Sequence, residues 1–156
     1  MNRQKFVSTA LTIKISGAYT ANDVVGGLIT INVANAGGGG IIRWAALVDD
    51  DNEKAAMSLY LFNSSPTAFL DDAAFAPVVA DLKKMIGKIS FAVAGYETIN
   101  GNAINIVRGT DGSGIDLNND FTTSDGNLYA YLVCVATPTY TAVTDLTLLL
   151  GLWLDG

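Results

Sequence analysis

The sequence predicts an all-β domain: a two-sheet antiparallel β-sandwich of the jelly-roll or Greek-key type, with about eight strands. Apolar residues alternate with a period of two along most of the chain, as in strands whose successive side chains point to opposite faces of a sheet. Stretches rich in Gly, Asn and Asp separate these runs, and such residues favour turns between strands. The only segment that favours helix is 64–85, which we expect to form a connection with short helical turns.

The stretch 41–63 contains two apolar runs on either side of an acidic turn. In the first run Trp44 and Val48 fall on one face and Leu47 on the other, so both faces are expected to be buried. The turn at 49–53 reads DDDNE, and carboxylates cannot enter a core without partners. We therefore predict two strands joined by a charged surface loop, in the manner of a hairpin.

The other strands follow from the same alternation, within a single domain at 8–156. We predict them at 8–15, 24–34, 86–94, 103–108, 115–121, 127–136 and 145–154. The last two are apolar on both faces, which is typical of central strands. Four consecutive glycines at 37–40 predict a flexible hairpin loop, because no lysine and no helix follow them as a phosphate-binding loop would require.

Residues 1–7 are predicted to form an N-terminal arm outside the sandwich. The first 22 residues carry three basic side chains and no acidic one, although the whole chain has a net charge of −6. Our hypothesis is that the arm docks on an acidic neighbouring surface, with Arg3 and Lys5 supplying the charge and Phe6 and Val7 the apolar anchor. The alternative interpretation is a frayed terminus.

The composition predicts a subunit interface. Hydrophobic residues make up 50% of the chain and charged residues 15%, against roughly 25% charged in average soluble domains. A small domain has much surface to cover, so we favour a permanent contact between subunits over an enlarged core. We predict a homo-oligomer, a trimer or dimer, with the strands at 127–136 or 145–154 near the contact. Tyr129, Tyr131 and Trp153 are the candidate contact residues on these strands.

The same totals argue against several classes of function. A net charge of −6 does not suit a nucleic-acid binder, which needs a basic patch. The absence of His removes the commonest general base and the commonest metal ligand, and the single Cys134 lies in an apolar strand, so it is interpreted as a buried structural thiol. The longest unbroken apolar run, 128–136, is too short for a membrane-spanning helix. We predict no enzymatic activity, no catalytic residue, no cofactor, no metal and no membrane partner.

Acidic groupings and loop tyrosines leave two alternatives open. The acidic groupings at 49–53, 71–72 and 111–125 do not match a calcium-loop spacing, so we interpret them as solvated turns and helix starts, with a bound cation as the alternative. A carbohydrate-binding module would need exposed aromatic side chains. The loop tyrosines could supply them, whereas both tryptophans lie in strands that we expect to be buried. These tyrosines are Tyr19, Tyr96 and Tyr140.

Two segments resemble a small structural protein encoded among the virion genes of tailed bacteriophages. The first contains an L-x-L-F-N strand end followed by a Pro-Thr turn, then D-D-A-A-F and A-D-L. The second contains L-Y-x-Y-L-V, a T-P-T-Y loop and a closing L-x-L-x-L-G strand. The motifs lie at 59–67, 71–75, 80–82, 128–133, 137–140 and 146–151. They are structural in character and not catalytic.

The resemblance implies a non-enzymatic virion protein with a jelly-roll fold, most simply a capsid decoration (cement) subunit. It further implies that the partners are the major capsid protein or other virion proteins, and that the chain lies on the capsid surface after assembly in the host cytoplasm. Two alternatives remain: a tail or head-fibre component of the same fold, and a carbohydrate-binding β-sandwich module.

Overall fold

In the computed structural model, the chain is described over residues 3–33, 37–108 and 119–155. Within these ranges the strands form two antiparallel sheets, one of six strands and one of four. The strands are β1 (Arg3–Ala10), β2 (Val24–Asn32), β3 (Gly39–Asp49), β4 (Met57–Phe62), β5 (Met85–Phe91), β6 (Tyr96–Ile99), β7 (Asn102–Arg108), β8 (Asn119–Thr122), β9 (Asn127–Cys134) and β10 (Leu146–Leu154). One helical turn, α1 (Val79–Leu82), and one 3-10 turn, Val93–Gly95, complete the elements of this part of the chain.

The predicted two-sheet sandwich is confirmed. The six-stranded sheet has the order β1-β10-β3-β7-β6, with β8 also paired to β3, and the four-stranded sheet has the order β2-β9-β4-β5. Without β6 and β8, the orders β1-β10-β3-β7 and β2-β9-β4-β5 are those of a jelly roll, in which successive strands change sheet except at the β4–β5 hairpin.

The inward faces of the two sheets form one apolar core. Leu47 of β3 and Leu150 of β10 face Leu132 of β9 across it, and all three side chains are fully buried. Antiparallel partners share a face, and the registered pairs β10–β3 and β4–β9 therefore place whole rows of apolar side chains in this core. The period-two pattern of the sequence is the direct cause.

A second apolar cluster covers the outer face of the four-stranded sheet. The connection, residues 63–78 between β4 and α1, folds back over this sheet and packs Phe69 and Phe75 against Tyr131 of β9. The Tyr131 hydroxyl donates to the Thr67 carbonyl at 2.7 Å and accepts from the Phe69 amide at 3.0 Å. Strand β9 is therefore buried on both faces by its own chain.

A carboxylate fixes the connection to the rest of the fold. One oxygen of Asp71 accepts both the Tyr19 hydroxyl and the Gly26 amide, each at 2.7 Å. Asp71 and Asp72 were expected to start one helical turn and residues 79–85 to form a second, and only the second is present, as α1. The acidic pair has a structural role at this point, because it ties the connection to β2 and to the loop after β1.

The arm predicted at 1–7 is wrong over residues 3–7. Strand β1 begins at Arg3 and pairs with β10 over its full length, from Arg3 opposite Leu154 to Ala10 opposite Thr147. The predicted strand at 8–15 therefore begins and ends too late, although Leu11 and Ile13 remain buried. The partner that stabilises β1 is β10, which lies far along the chain, so the local sequence pattern of residues 3–7 does not indicate a strand.

Other expected boundaries also need correction. Strands β3 and β4 do not pair with each other: they belong to different sheets, so the acidic loop crosses between sheets and does not close a hairpin. The strand predicted at 86–94 ends at Phe91 and gives way to the 3-10 turn, which lies outside the segment expected to hold all helical turns. Gly39 and Gly40 belong to β3, and the beginning of the strand predicted at 115–121 lies outside the described residues.

Candidate protein interaction surface

The outer sheet face is the side of the six-stranded sheet that faces away from the core, and its central part contains three rows of residues that run across the strands. We name them by position. The aromatic row is Phe6, Gly151, Trp44 and Arg108. The middle row is Ser8, Leu149, Ala46 and Ile106. The third row is Ala10, Thr147, Val48, Ile104 and Glu97. An exposed antiparallel sheet face is normally polar, and this one is mostly apolar.

The aromatic row is built around a glycine. Phe6 and Trp44 are the partners of Gly151 on the two flanking strands, and their ring centroids are 5.8 Å apart. A Cβ atom at Gly151 would overlap the Trp44 indole, so only glycine leaves room for the ring to lie flat across the strand. Phe6 is 62% exposed, and its burial against Trp44 is therefore only partial.

A shallow cleft of about 350 Å³ opens beside the aromatic row. The ladder between β3 and β10 shifts register there, which leaves Arg43 as an extra residue on β3. The Arg43 guanidinium stacks on the Trp153 ring, 4.6 Å from its centroid. Trp153 is 38% exposed and Trp44 is half-buried, so the expectation that both tryptophans are buried is wrong.

The predicted interface residues divide into two groups. Phe6 and Trp153 lie on the outer sheet face and are accessible. Tyr129 and Tyr131 are not, because the connection covers Tyr131 and the Tyr129 hydroxyl donates to the Asp125 carboxylate. Their candidacy as contact residues is therefore corrected: the apolar outer face of β9 is covered from within the same chain.

The other three residues predicted for the arm belong to the edge of the sandwich. Lys5 donates to the Asn32 carbonyl of β2 at 2.6 Å and so links the edges of the two sheets. Val7 packs against the core, and Arg3 is exposed at the start of β1. None of them extends from the fold, so a partner can meet them only as part of the sheet edge.

The loop tyrosines considered for carbohydrate binding are not exposed platforms. Tyr19 and Tyr140 are buried, with their rings 6.2 Å apart, and Tyr96 is half-buried with its hydroxyl donating to the Ala55 carbonyl at 2.9 Å. Burial raises the pKa of all three hydroxyls. Phe6 and Trp153 on the outer sheet face are more exposed, at 62% and 38%.

The acidic loop is stabilised by backbone amides. Asp49 is fully buried, and its carboxylate accepts the amides of Asp51 and Lys54 at 3.1 and 2.8 Å. The expectation that this residue lies at the surface is therefore wrong: the amides act as its partners inside the fold. Burial raises the pKa of Asp49 despite these bonds. Asp145 likewise accepts the amides of Thr141 and Ala142, at 3.0 and 2.7 Å.

The lone cysteine is structural, as predicted. Cys134 is buried at the end of β9, and its thiol donates to the Thr20 carbonyl at 2.8 Å. Burial raises the pKa of this thiol, which keeps it protonated and unreactive. In the part of the chain that the structure describes, no group of three or more Cys, Asp or Glu side chains is arranged to hold a metal ion.

Four further exposed apolar side chains lie on the connection and on α1. We call them together the connection patch: Leu70, Val78, Val79 and Leu82. Leu70 is 78% exposed at the tip of the connection. Since the connection covers the outer side of the four-stranded sheet, the connection patch and the outer sheet face point away from each other.

Comparison with protein-family models and with curated proteins found no match to this chain. Within the described ranges, no helix is long and apolar enough to span a membrane.

Proposed function

We propose that this chain is a non-enzymatic structural subunit of a tailed-bacteriophage virion, and specifically a capsid decoration subunit. The observation that carries the proposal is the apolar outer sheet face, which a solitary domain would be expected to keep polar. The resemblance of the sequence motifs to those of a virion protein suggests the biological setting of this contact surface. The partners are then the major capsid protein or other virion proteins, and the location is the capsid surface.

The two opposed apolar surfaces suit a subunit that makes contacts on two sides. The outer sheet face is one contact surface, and the connection patch is available to a different partner at the same time. In a decoration subunit the connection patch would face the shell. The structural role assigned to the buried carboxylates and the thiol is consistent with a protein that acts by binding alone.

Co-sedimentation with expanded capsids tests this proposal. The purified chain is mixed with DNA-free expanded capsids built from the major capsid protein of the same genome, and the capsids are pelleted. We expect the wild-type chain in the pellet, and we expect Leu70→Ser combined with Val79→Ser to stay in the supernatant. Val93→Ser, an exposed apolar residue on the 3-10 turn, is the matched control and should pellet like the wild type. A wild-type chain that stays in the supernatant contradicts the decoration role and favours a tail or head-fibre component.

One observation favours a second candidate, carbohydrate binding. The cleft beside Trp153 combines an exposed ring with the Arg43 guanidinium and the Gln4 amide, and sugars bind to such combinations of aromatic and polar groups. A glycan array probed with the purified chain tests it. Binding that is lost in Trp153→Ala and kept in Tyr96→Phe would support this candidate, and an array without a bound glycan would dismiss it.

A further inference from the structure

Each sheet of the sandwich has an apolar outer face, but only one is covered. The connection shields the four-stranded sheet with Phe69 and Phe75. On the six-stranded sheet no described segment does the same, and Ile106, at the end of the middle row, is 44% exposed. Both faces are apolar, and any cover of the second face comes from outside the described residues.

We propose that a second copy of the chain covers the outer sheet face, related by a two-fold axis that runs along the middle row, perpendicular to the strands. This dimer deepens the proposed function and rests on it, since a structural subunit acts through contacts with other subunits, including copies of itself. The two sheets then stack face to face at about 10 Å, as sheets do inside a sandwich.

The sizes of the side chains fit this symmetry. Rotation about the middle row carries the aromatic row of one copy over the third row of the other. Phe6 and Trp44 are large, and the side chains they meet, Ala10 and Val48 of the partner, are small or β-branched. Ala46 and Leu149 lie on the axis, where each copy meets itself. Large over small is the complementarity that packed interfaces need.

The charges also fit. Along β7, Arg108 and Ile104 lie two residues on either side of Ile106, and Glu97 of β6 is the registered partner of Ile104. The rotation therefore places Arg108 over the partner's Ile104, beside the partner's Glu97 on the neighbouring strand about 4.8 Å away, and the symmetry repeats this pair. Within the described residues neither Arg108 nor Glu97 takes part in a salt bridge of its own chain. Two ion pairs would thus fix the register of the two sheets.

The available area suits a weak dimer. The five strands across the face, about 4.8 Å apart, give a width of about 24 Å. The three rows span five residues of β10, from Thr147 to Gly151, which is about 17 Å at roughly 3.3 Å per residue. The footprint is about 400 Å² per copy and about 800 Å² in total, in the range of weak and transient interfaces.

Light scattering and sedimentation equilibrium on the purified full chain test the inference. We expect the wild type to be a dimer that dissociates on dilution. Ile106→Asp should be a monomer at the same concentrations, because the symmetry places the two new carboxylates next to each other on the axis. Val143→Asp is the matched control: this loop valine is equally exposed, at 44%, and should leave the dimer unchanged.

A charge exchange tests the register. Arg108→Glu and Glu97→Arg should each raise the dimer Kd about tenfold or more, and the two changes combined in one chain should restore the wild-type Kd. Lys54→Glu and Glu53→Arg, in the part of the loop that leads to β4 in the other sheet, make the same changes of charge away from the face and should have no effect. A wild-type monomer at every concentration overturns the inference, as does a double variant that stays weak.

Failure of the dimer and failure of the decoration role give different results. A chain that dimerises but does not pellet with capsids keeps the inference and refutes the capsid role. A chain that pellets with capsids as a monomer, with Ile106→Asp pelleting as the wild type does, keeps the capsid role and refutes the dimer.

Discussion

The rings of Phe6 and Trp44 meet across a strand that belongs to neither of them. Their centroids are 5.8 Å apart and the rings are tilted by 39°, and the residue between them on β10 is Gly151. Such an aromatic pair contributes about 0.5–1.5 kcal/mol beyond the area that it buries. It also joins the edge strand β1 to β3, its second neighbour, so the sheet edge is held by side chains as well as by the ladder.

Gly151→Ala should destabilise the fold by about 1–3 kcal/mol, because the added Cβ overlaps the Trp44 indole. Thermal unfolding measures this as a fall in Tm of roughly 2–4 °C for each kcal/mol in a domain of this size. In a Trp44→Leu background the same change should cost under about 0.5 kcal/mol, since the flat ring is gone. An equal cost in both backgrounds would show that the indole is not the obstacle.

Tyr131→Phe should lower the free energy of unfolding by about 1–3 kcal/mol, because the Thr67 carbonyl and the Phe69 amide both lose their partner. Urea denaturation gives the value, and limited proteolysis should show faster cleavage in the connection. Tyr60→Phe is the control: its ring packs on Phe75 at 4.8 Å, but its hydroxyl makes no hydrogen bond within the described ranges. Similar losses in both variants would mean that the Tyr131 hydroxyl does not hold the connection.

Asp81→Asn should reduce the dependence of stability on acid pH. The amides of Thr67 and Val78 donate to this carboxylate and Lys84 lies near it, and these interactions lower its pKa below 3.8. The stabilisation is therefore present above pH 3.8 and is lost as pH falls through the lowered pKa. Urea denaturation at a series of pH values should show the wild type losing its advantage over the variant as pH falls. An advantage that stays constant would contradict the assignment.

Asp49→Asn should have the opposite pH dependence. Burial raises the pKa of Asp49 above 3.8, so the folded state retains a proton that the unfolded state has released. The wild type then loses stability as pH rises from 3.8 through the raised pKa, and the variant does not. The stability of the variant relative to the wild type should therefore increase over this pH range. The same urea series measures both variants. Because the chemical change is identical, slopes of the same sign would refute one of the two assignments.

The sequence predicted the central strands well because their signal is local. β9 and β10 are apolar on both faces over most of their length, and both begin within one residue of the predicted start. Strand β1 was missed over residues 3–7 since Arg3, Gln4 and Lys5 resemble an exposed terminus. Its partner is β10, and only the register with Leu154 turns these residues into a strand.

The candidate surface could be predicted only in part. Alternation showed that β9 and β10 have two apolar faces, and the structure shows the cover of the outer face of β9. Alternation did not show that the connection supplies the cover for Tyr131, because that contact joins residues 62 or more positions apart. Nor did it show that Trp44 lies over Gly151, since the register shift at Arg43 decides that alignment.

The pairing of β1 with β10 has a consequence for synthesis on the ribosome. β1 leaves the ribosome first, and its only ladder partner within the described residues is the last strand. Residues 11 to 145 must be made in between, which takes roughly 7–27 s at about 5–20 residues per second. During that time Phe6 and Val7 have no strand to pair with. Nascent chains on neighbouring ribosomes of one mRNA therefore all expose the same unpaired segment. Cells that hold this segment in a chaperone until release should yield more folded protein than cells that do not.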